Sequence, residues 1–205
     1  ERWNHPGVFT TLHGFEWTSA PSGKNLHRTV IFRDGIDRVK QVLPFSAFDS
    51  PNPENLWKYM DDYEKKTGGQ VLAIPHNPNL SMGAMFSAET FDGKPMDRAY
   101  AEARINHEPL FEVTQIKGDS ETAPYLSPND EFADFEKWWE IDLDKMEKAP
   151  NSVFQGNYVR SALKRGLQLE SPAQTLATGT QAQQQQAQQD KTQDDSGAIG
   201  QATDA

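Results

Sequence analysis

The sequence of 205 residues contains no cysteine, which excludes disulfides, thiolate zinc sites and a cysteine nucleophile and leaves the redox compartment open. Any metal must therefore be held by histidine and carboxylates. No apolar run approaches the roughly 18 residues that cross a bilayer, so no membrane partner is expected. Positive charge is also scarce. Twenty Lys and Arg against 30 Asp and Glu give a formal net charge of -10, and an acidic surface without a basic patch argues against a nucleic-acid partner. Phosphate-cradling glycine loops, nucleophile elbows, dinucleotide fingerprints and internal repeats are absent as well. The chain opens on Glu1 without a charged-then-apolar leader. That suits a processed or truncated product, soluble, periplasmic or secreted, from which a leader has been removed.

What is present divides the chain in two. Residues 1–170 are dense in aromatics, Gly and Pro with apolar stretches at regular intervals, and this length bounds the folded part to one domain. Residues 171–205 turn to Gln, Ala, Thr, Asp and Gly, with Leu176 and Ile199 as the large apolar residues. Such a segment buries too little surface to offset its ordering entropy and reads as a disordered tail.

Within residues 1–170, Val8 to Trp17 and His27 to Arg33 read as strands on either side of a Pro- and Gly-containing turn. Asn52 before Pro53, with Leu56, Trp57, Met60 and Tyr63 at helical spacing, predicts a helix that ends at Gly68-Gly69. Strands over 70–74 and 110–116 and helices over 95–105, 130–139 and 152–169 complete the reading. Helix alternating with strand predicts an α/β layer with parallel strands, because parallel neighbours need a crossover.

Four ionisable residues stand on the strand-like runs or at their ends: Glu16, His27, His76 and Glu112. In α/β barrels and sheets such ends converge on one face, where ligands and metals bind. His76 follows an apolar strand and a Pro and precedes Asn77-Pro78-Asn79, a stiff loop that suits a pre-oriented ligand. Glu112 alternates with Phe111 and Val113, which predicts an inward carboxylate needing a cation or hydrogen bonds. Each has a structural alternative: a solvated strand-end carboxylate for Glu16, a satisfied core imidazole for His27, a loop cap for His76. His5, His13 and His107 are weaker, His107 being read as exposed in an Asn-His-Glu-Pro turn. Arg28 and Lys117 are candidate contacts to an anionic substrate, with a solvated lysine as the plain reading of Lys117. Five Trp residues allow a sugar-stacking surface, but Trp57, Trp138 and Trp139 fall at helical positions expected to be buried.

The phrases Gly-Phe-Glu-Trp-Thr-Ser (14–19), Asn-Leu-His-Arg-Thr-Val-Ile-Phe-Arg-Asp (25–34), Leu-Ala-Ile-Pro-His-Asn (72–77), Glu-Val-Thr-Gln-Ile-Lys-Gly-Asp-Ser-Glu (112–121) and Leu-Ser-Pro-Asn-Asp-Glu-Phe-Ala (126–133) resemble the bacterial domain-of-unknown-function 3604 family. That family looks related to the polymerase-and-histidinol-phosphatase (PHP) metallohydrolases. The resemblance implies a distorted (β/α) barrel whose strand ends hold divalent ions (Mn, Zn or Fe), with Glu16, His27 and His76 as ligands and Glu112 near them. It also implies a metal-dependent hydrolase that acts on phosphate esters or related anionic substrates through a metal-activated water. The early His-x-His and late Asp-x-His phrases of such proteins are missing here, and about four strands are too few for a barrel of about eight. The expectation is an incomplete PHP-type barrel, a fragment with exposed sheet edges and weak metal affinity, and the rival expectation is an inactive binding or structural module that keeps part of the fold.

Overall fold

A computed structural model describes residues 2–138, 141–142, 147–148 and 155–170. The Gln-rich tail and Trp139 lie outside the described residues, as do residues 152–154 of the expected last helix. The chain divides into two units, Glu1–Ala162 and Leu163–Ala205.

The centre of the first unit is a three-stranded sheet in the order β1-β2-β3, with β1 His13–Trp17, β2 Arg28–Phe32 and β3 Val71–Pro75. Both pairings are antiparallel, which corrects the parallel layer expected from the sequence. The physical reason lies in the connection after β2. It carries a short helix α1, Ile36–Val39, and the long helix α2, Pro53–Thr67, and returns the chain to the end of the sheet it left, so that Val71 pairs with Phe32. Asp34 clasps this return: its carboxylate accepts from Gln70 N at 2.6 Å, from the Tyr63 hydroxyl at 3.0 Å and from Arg38 Nη1 at 2.7 Å. Gly69 fits closely there: a Cβ would come within 2.3 Å of the Asp34 carboxylate and 2.6 Å of the Tyr63 hydroxyl, so a larger residue would push the clasp apart.

Helix α2 follows its sequence signals. Asn52 caps it by accepting from Glu54 N at 2.8 Å, Pro53 occupies the first turn, and Gly68 ends it in the left-handed conformation. Its apolar stripe of Leu56, Trp57, Met60 and Tyr63 packs with Trp17, Val30, Phe32, Val71 and Ala73 from one face of the sheet. Each such side chain contributes about 1.5–3 kcal/mol on burial.

The remaining elements are smaller. Helix α3, Arg98–His107, is capped by Asp97, and two hairpins pair β4 Thr114–Gln115 with β5 Gly118–Asp119 and β6 Ile141–Asp142 with β7 Glu147–Lys148. The strand expected over 110–116 is thus reduced to two residues, and the helix expected over 130–139 is a series of turns as far as Glu136. Helix α4, Val159–Glu170, begins later than expected and crosses the boundary between the units. The described residues form mixed helices and small antiparallel sheets, with no closed barrel among them. No helix among the described residues is long and apolar enough to cross a membrane.

Candidate metal centre

Period-2 alternation assigns the three sheet strands two faces. Trp17, Arg28, Val30, Phe32, Val71, Ala73 and Pro75 are buried on the α2 side. Glu16 therefore points the other way, in register with Thr29 and, across β2, with Ile74. His27 and His76 prolong β2 and β3 by one residue and remain paired, with His76 N–H donating to His27 O at 3.3 Å. Glu16, His27 and His76 meet as a result at one end of the sheet, on the face turned from the core.

One ligand atom from each of the three lies within 4.8 Å of the others. His27 Nδ1 is 3.1 Å and His76 Nε2 3.2 Å from the same oxygen, Glu16 Oε1. Bonds of about 2.0–2.1 Å around a cation put neighbouring donor atoms roughly 3 Å apart, so these separations fit a shared divalent ion. Nδ1 of His27 is buried, and the Glu16 oxygen is its one close polar neighbour among the described contacts. Burial lowers the His27 pKa below the usual 6.5; Glu16 opposes that, and His76 and Lys117 add to it. A neutral imidazole offers the lone pair a metal needs.

The supports are local. The Asn25 side chain accepts from His27 N at 2.8 Å, and His76 Nδ1 lies 3.5 Å from Thr29 Oγ1. The two imidazole rings stand edge to face, 5.8 Å apart. His76 is buried while the Glu16 side chain is 49% exposed, so the group opens to solvent on the carboxylate side.

The other sequence candidates separate. Glu112 donates its backbone N–H to Pro75 O at 3.1 Å, beside His76, but its side chain is exposed, receives Gln115 Nε2 at 3.3 Å and does not join the three-residue group. The inward orientation expected of it fails because the strand that would have imposed the alternation starts only at Thr114. Lys117, in the turn between β4 and β5, is exposed and close enough to His27 to affect its charge; its backbone oxygen accepts from Asn79 Nδ2 at 3.0 Å.

Arg28 is 2% exposed on the core face, which removes it from any contact with substrate at the Glu16 side. Its Nε donates to Glu108 Oε1 at 2.9 Å, the oxygen that also accepts from Trp57 Nε1 at 2.9 Å, while Arg104 Nε donates to Glu108 Oε2 at 3.1 Å. Burial alone would raise the Glu108 pKa, yet the charges of Arg28 and Arg104 and the hydrogen bonds from Arg28 and Trp57 hold it below the usual glutamate value. His107, expected in an exposed turn, instead ends α3 stacked on Trp57 and lies 3.0 Å from Asp61 Oδ1. Sequence reasoning missed Glu108 altogether. The signal available was its i,i+4 spacing from Arg104 across a helix end. Trp57 is buried as expected, whereas Trp138 is 47% exposed.

A helix-and-sheet protein with a two-histidine, one-carboxylate cluster at a sheet end is the class that fold and site define. Residues 1–178 match the family model described as "Protein of unknown function (DUF3604)". The chain belongs to that family. No curated protein and no solved structure matches it.

Proposed function

We propose that this chain forms part of a metal-dependent hydrolase that acts on phosphate esters or related small anionic substrates, with Glu16, His27 and His76 holding a divalent cation. The observation that carries the reading is the convergence of His27 Nδ1 and His76 Nε2 on one oxygen of Glu16, with His27 Nδ1 buried and otherwise unpaired. A divalent cation there supplies Lewis-acid charge stabilisation and lowers the pKa of a coordinated water. The chain's own residues do the rest. His27 and His76 present neutral nitrogen donors from the ends of paired strands, Glu16 contributes the neutralising charge, and Thr29 and Asn25 steady the two histidines. Lys117 attracts the anionic end of a substrate toward that mouth. The relation to PHP metallohydrolases belongs to this proposal, as does a nearby role for Glu112.

A second reading, a module that binds without turnover, is favoured by the small number of ligand residues in the group and the exposure of Glu16. Metal analysis of the purified protein, followed by phosphomonoester and phosphodiester assays with Mn²⁺ or Zn²⁺, separates the two. The hydrolase reading expects bound metal and turnover abolished by His76→Ala. Bound metal without turnover of either ester selects the module, and absence of metal binding removes both forms of the metal reading.

A further inference from the structure

Pairing register puts a fourth polar side chain on the face that carries Glu16, His27 and His76. Thr29 lies directly opposite Glu16 across β1 and β2 and opposite Ile74 across β2 and β3, so His76, one residue past the end of β3, is its diagonal neighbour. The Thr29 hydroxyl Oγ1 is 3.5 Å from His76 Nδ1, and among the described residues it has no other hydrogen-bond partner. The strand itself does not call for a hydroxyl. Ile31, Leu72 and Ile74 stand at the same alternation on this face, and valine has the same branched shape as threonine.

Of the two histidines in the group, His76 is the one with both ring nitrogens engaged among the described residues: Nε2 lies 3.2 Å from Glu16 Oε1 and Nδ1 lies 3.5 Å from Thr29 Oγ1. A neutral imidazole carries one N–H and one lone pair, and an ionised carboxylate only accepts. Without a cation, the Glu16 contact is therefore favourable with the proton on Nε2, and the Nδ1 lone pair then needs a donor. With a cation held by the group, the Nε2 lone pair is the ligand and the proton belongs on Nδ1, which then needs an acceptor. The number of protons on the ring is the same in both states. A carbonyl or carboxylate beside Nδ1 would suit only the second state, and an amide N–H or an ammonium only the first. A hydroxyl donates or accepts by turning about its C–O bond, and a separation of 3.5 Å, long for a hydrogen bond, leaves it room to turn.

We propose that Thr29 is the positioning residue of His76: its hydroxyl donates to Nδ1 while Nε2 faces Glu16 alone, and accepts from Nδ1–H when Nε2 and Glu16 share a divalent cation. This rests on the functional reading above and adds to it the tautomer of His76 in each state and the side chain that permits the change. His76 is thus hydrogen-bonded at both nitrogens before a cation arrives and held in the same orientation afterwards, so little of the binding free energy goes into turning the ring.

The test uses the full chain and Zn²⁺, which is diamagnetic and so compatible with nitrogen NMR of the imidazoles. At mildly alkaline pH, where an ordinary imidazole is neutral, the metal-free wild type is expected to show His76 protonated at Nε2 and the Zn²⁺-loaded protein to show it protonated at Nδ1. In calorimetry, Thr29→Val is expected to bind Zn²⁺ at least about tenfold more weakly than the wild type, and Thr29→Ser, which restores the hydroxyl, to bind within about threefold of it. Chelator-treated Thr29→Val should melt within about 3 °C of the wild type, because the replacement keeps the shape the strand accepts. Equal Zn²⁺ affinity in wild type and Thr29→Val overturns the proposal and leaves the metal reading standing, as does a His76 already protonated at Nδ1 without metal. A Thr29→Ser that binds no better than Thr29→Val overturns it as well. Absence of Zn²⁺ binding to the wild type overturns both readings. The wild-type spectra decide the matter even if Thr29→Val does not fold.

Discussion

Two clusters of charge occupy opposite faces of the same three strands, and neighbouring residues of the chain feed them. Arg28 joins Glu108, Arg104 and Trp57 on the core side, and every strong donor around the Glu108 carboxylate comes from this chain. His27, one residue earlier, faces Glu16 and His76, and its buried Nδ1 meets only the half-exposed Glu16 carboxylate at 3.1 Å. The first cluster is closed and the second open. A closed buried ion cluster stabilises a fold only as long as every partner remains, whereas an open one costs stability until something from outside completes it. The difference between structural and functional charge is thus carried by partner completeness, since both clusters use ordinary residues at ordinary spacing.

The largest effect separating the two should come from the closed cluster. Glu108→Ala leaves the buried Arg28 and the partly buried Arg104 without their anion and is expected to cost about 3–5 kcal/mol in urea denaturation, with the Mn²⁺ affinity of whatever remains folded unchanged. A loss below about 1 kcal/mol would contradict the structural role assigned to it. The pH dependence follows from the same group. The folded-state pKa of Glu108 is depressed, so its contribution is present above the ordinary glutamate value of 4.5 and is lost as pH falls through the lower folded value. Glu108→Gln should flatten the acid limb of stability below pH 4.5, and an unaltered limb would assign that dependence to other carboxylates.

The open cluster should respond to added metal instead. Mn²⁺ at a hundred times its dissociation constant is expected to raise unfolding stability by about 2.7 kcal/mol, an increment that a chelator reverses and that His76→Ala and Glu16→Gln abolish. The metal-free stability of His76→Ala should change little by comparison. If melting curves with and without Mn²⁺ superimpose for the wild type, the two faces differ in burial only and the contrast loses its functional meaning.

Lys117 sharpens the comparison at the smallest scale. Lys117→Ala removes an exposed cation near the open cluster, and phosphate affinity should fall by a few-fold, corresponding to about 1 kcal/mol or less, with the deficit vanishing at high salt. A salt-independent loss in calorimetry would mean that Lys117 makes a desolvated contact, a stronger role than its exposure supports.

Several parts of this arrangement were legible from residue order. Asn52, Pro53 and Gly68 marked both ends of α2, and the apolar runs ending near Trp17, Arg33 and Ile74 marked the three strands of the sheet. Glu16, His27 and His76 stood out because each is a metal-competent side chain at the limit of a strand. Strand direction was not legible. An intervening helix is as compatible with a return to the same end of the sheet as with a crossover, and the Asp34 clasp that selects the return joins residues 34, 63 and 70. Glu112 was misplaced for a related reason: its apolar neighbours alternate, but only Thr114 and Gln115 find a strand partner there.

Composition and local pattern alone determined that a metal here would have to be bound without thiolates, that α2 would form, and that three metal-competent residues would stand at strand limits. Tertiary structure alone decided that Arg28 would be buried against Glu108, that Glu112 would stay outside the group, and that Asn77 would be enclosed without a partner. Local rules act over one turn or one strand, whereas pairing direction, burial of charge and the completeness of a polar group's hydrogen bonds depend on residues far apart in the chain, which only the folded arrangement brings together.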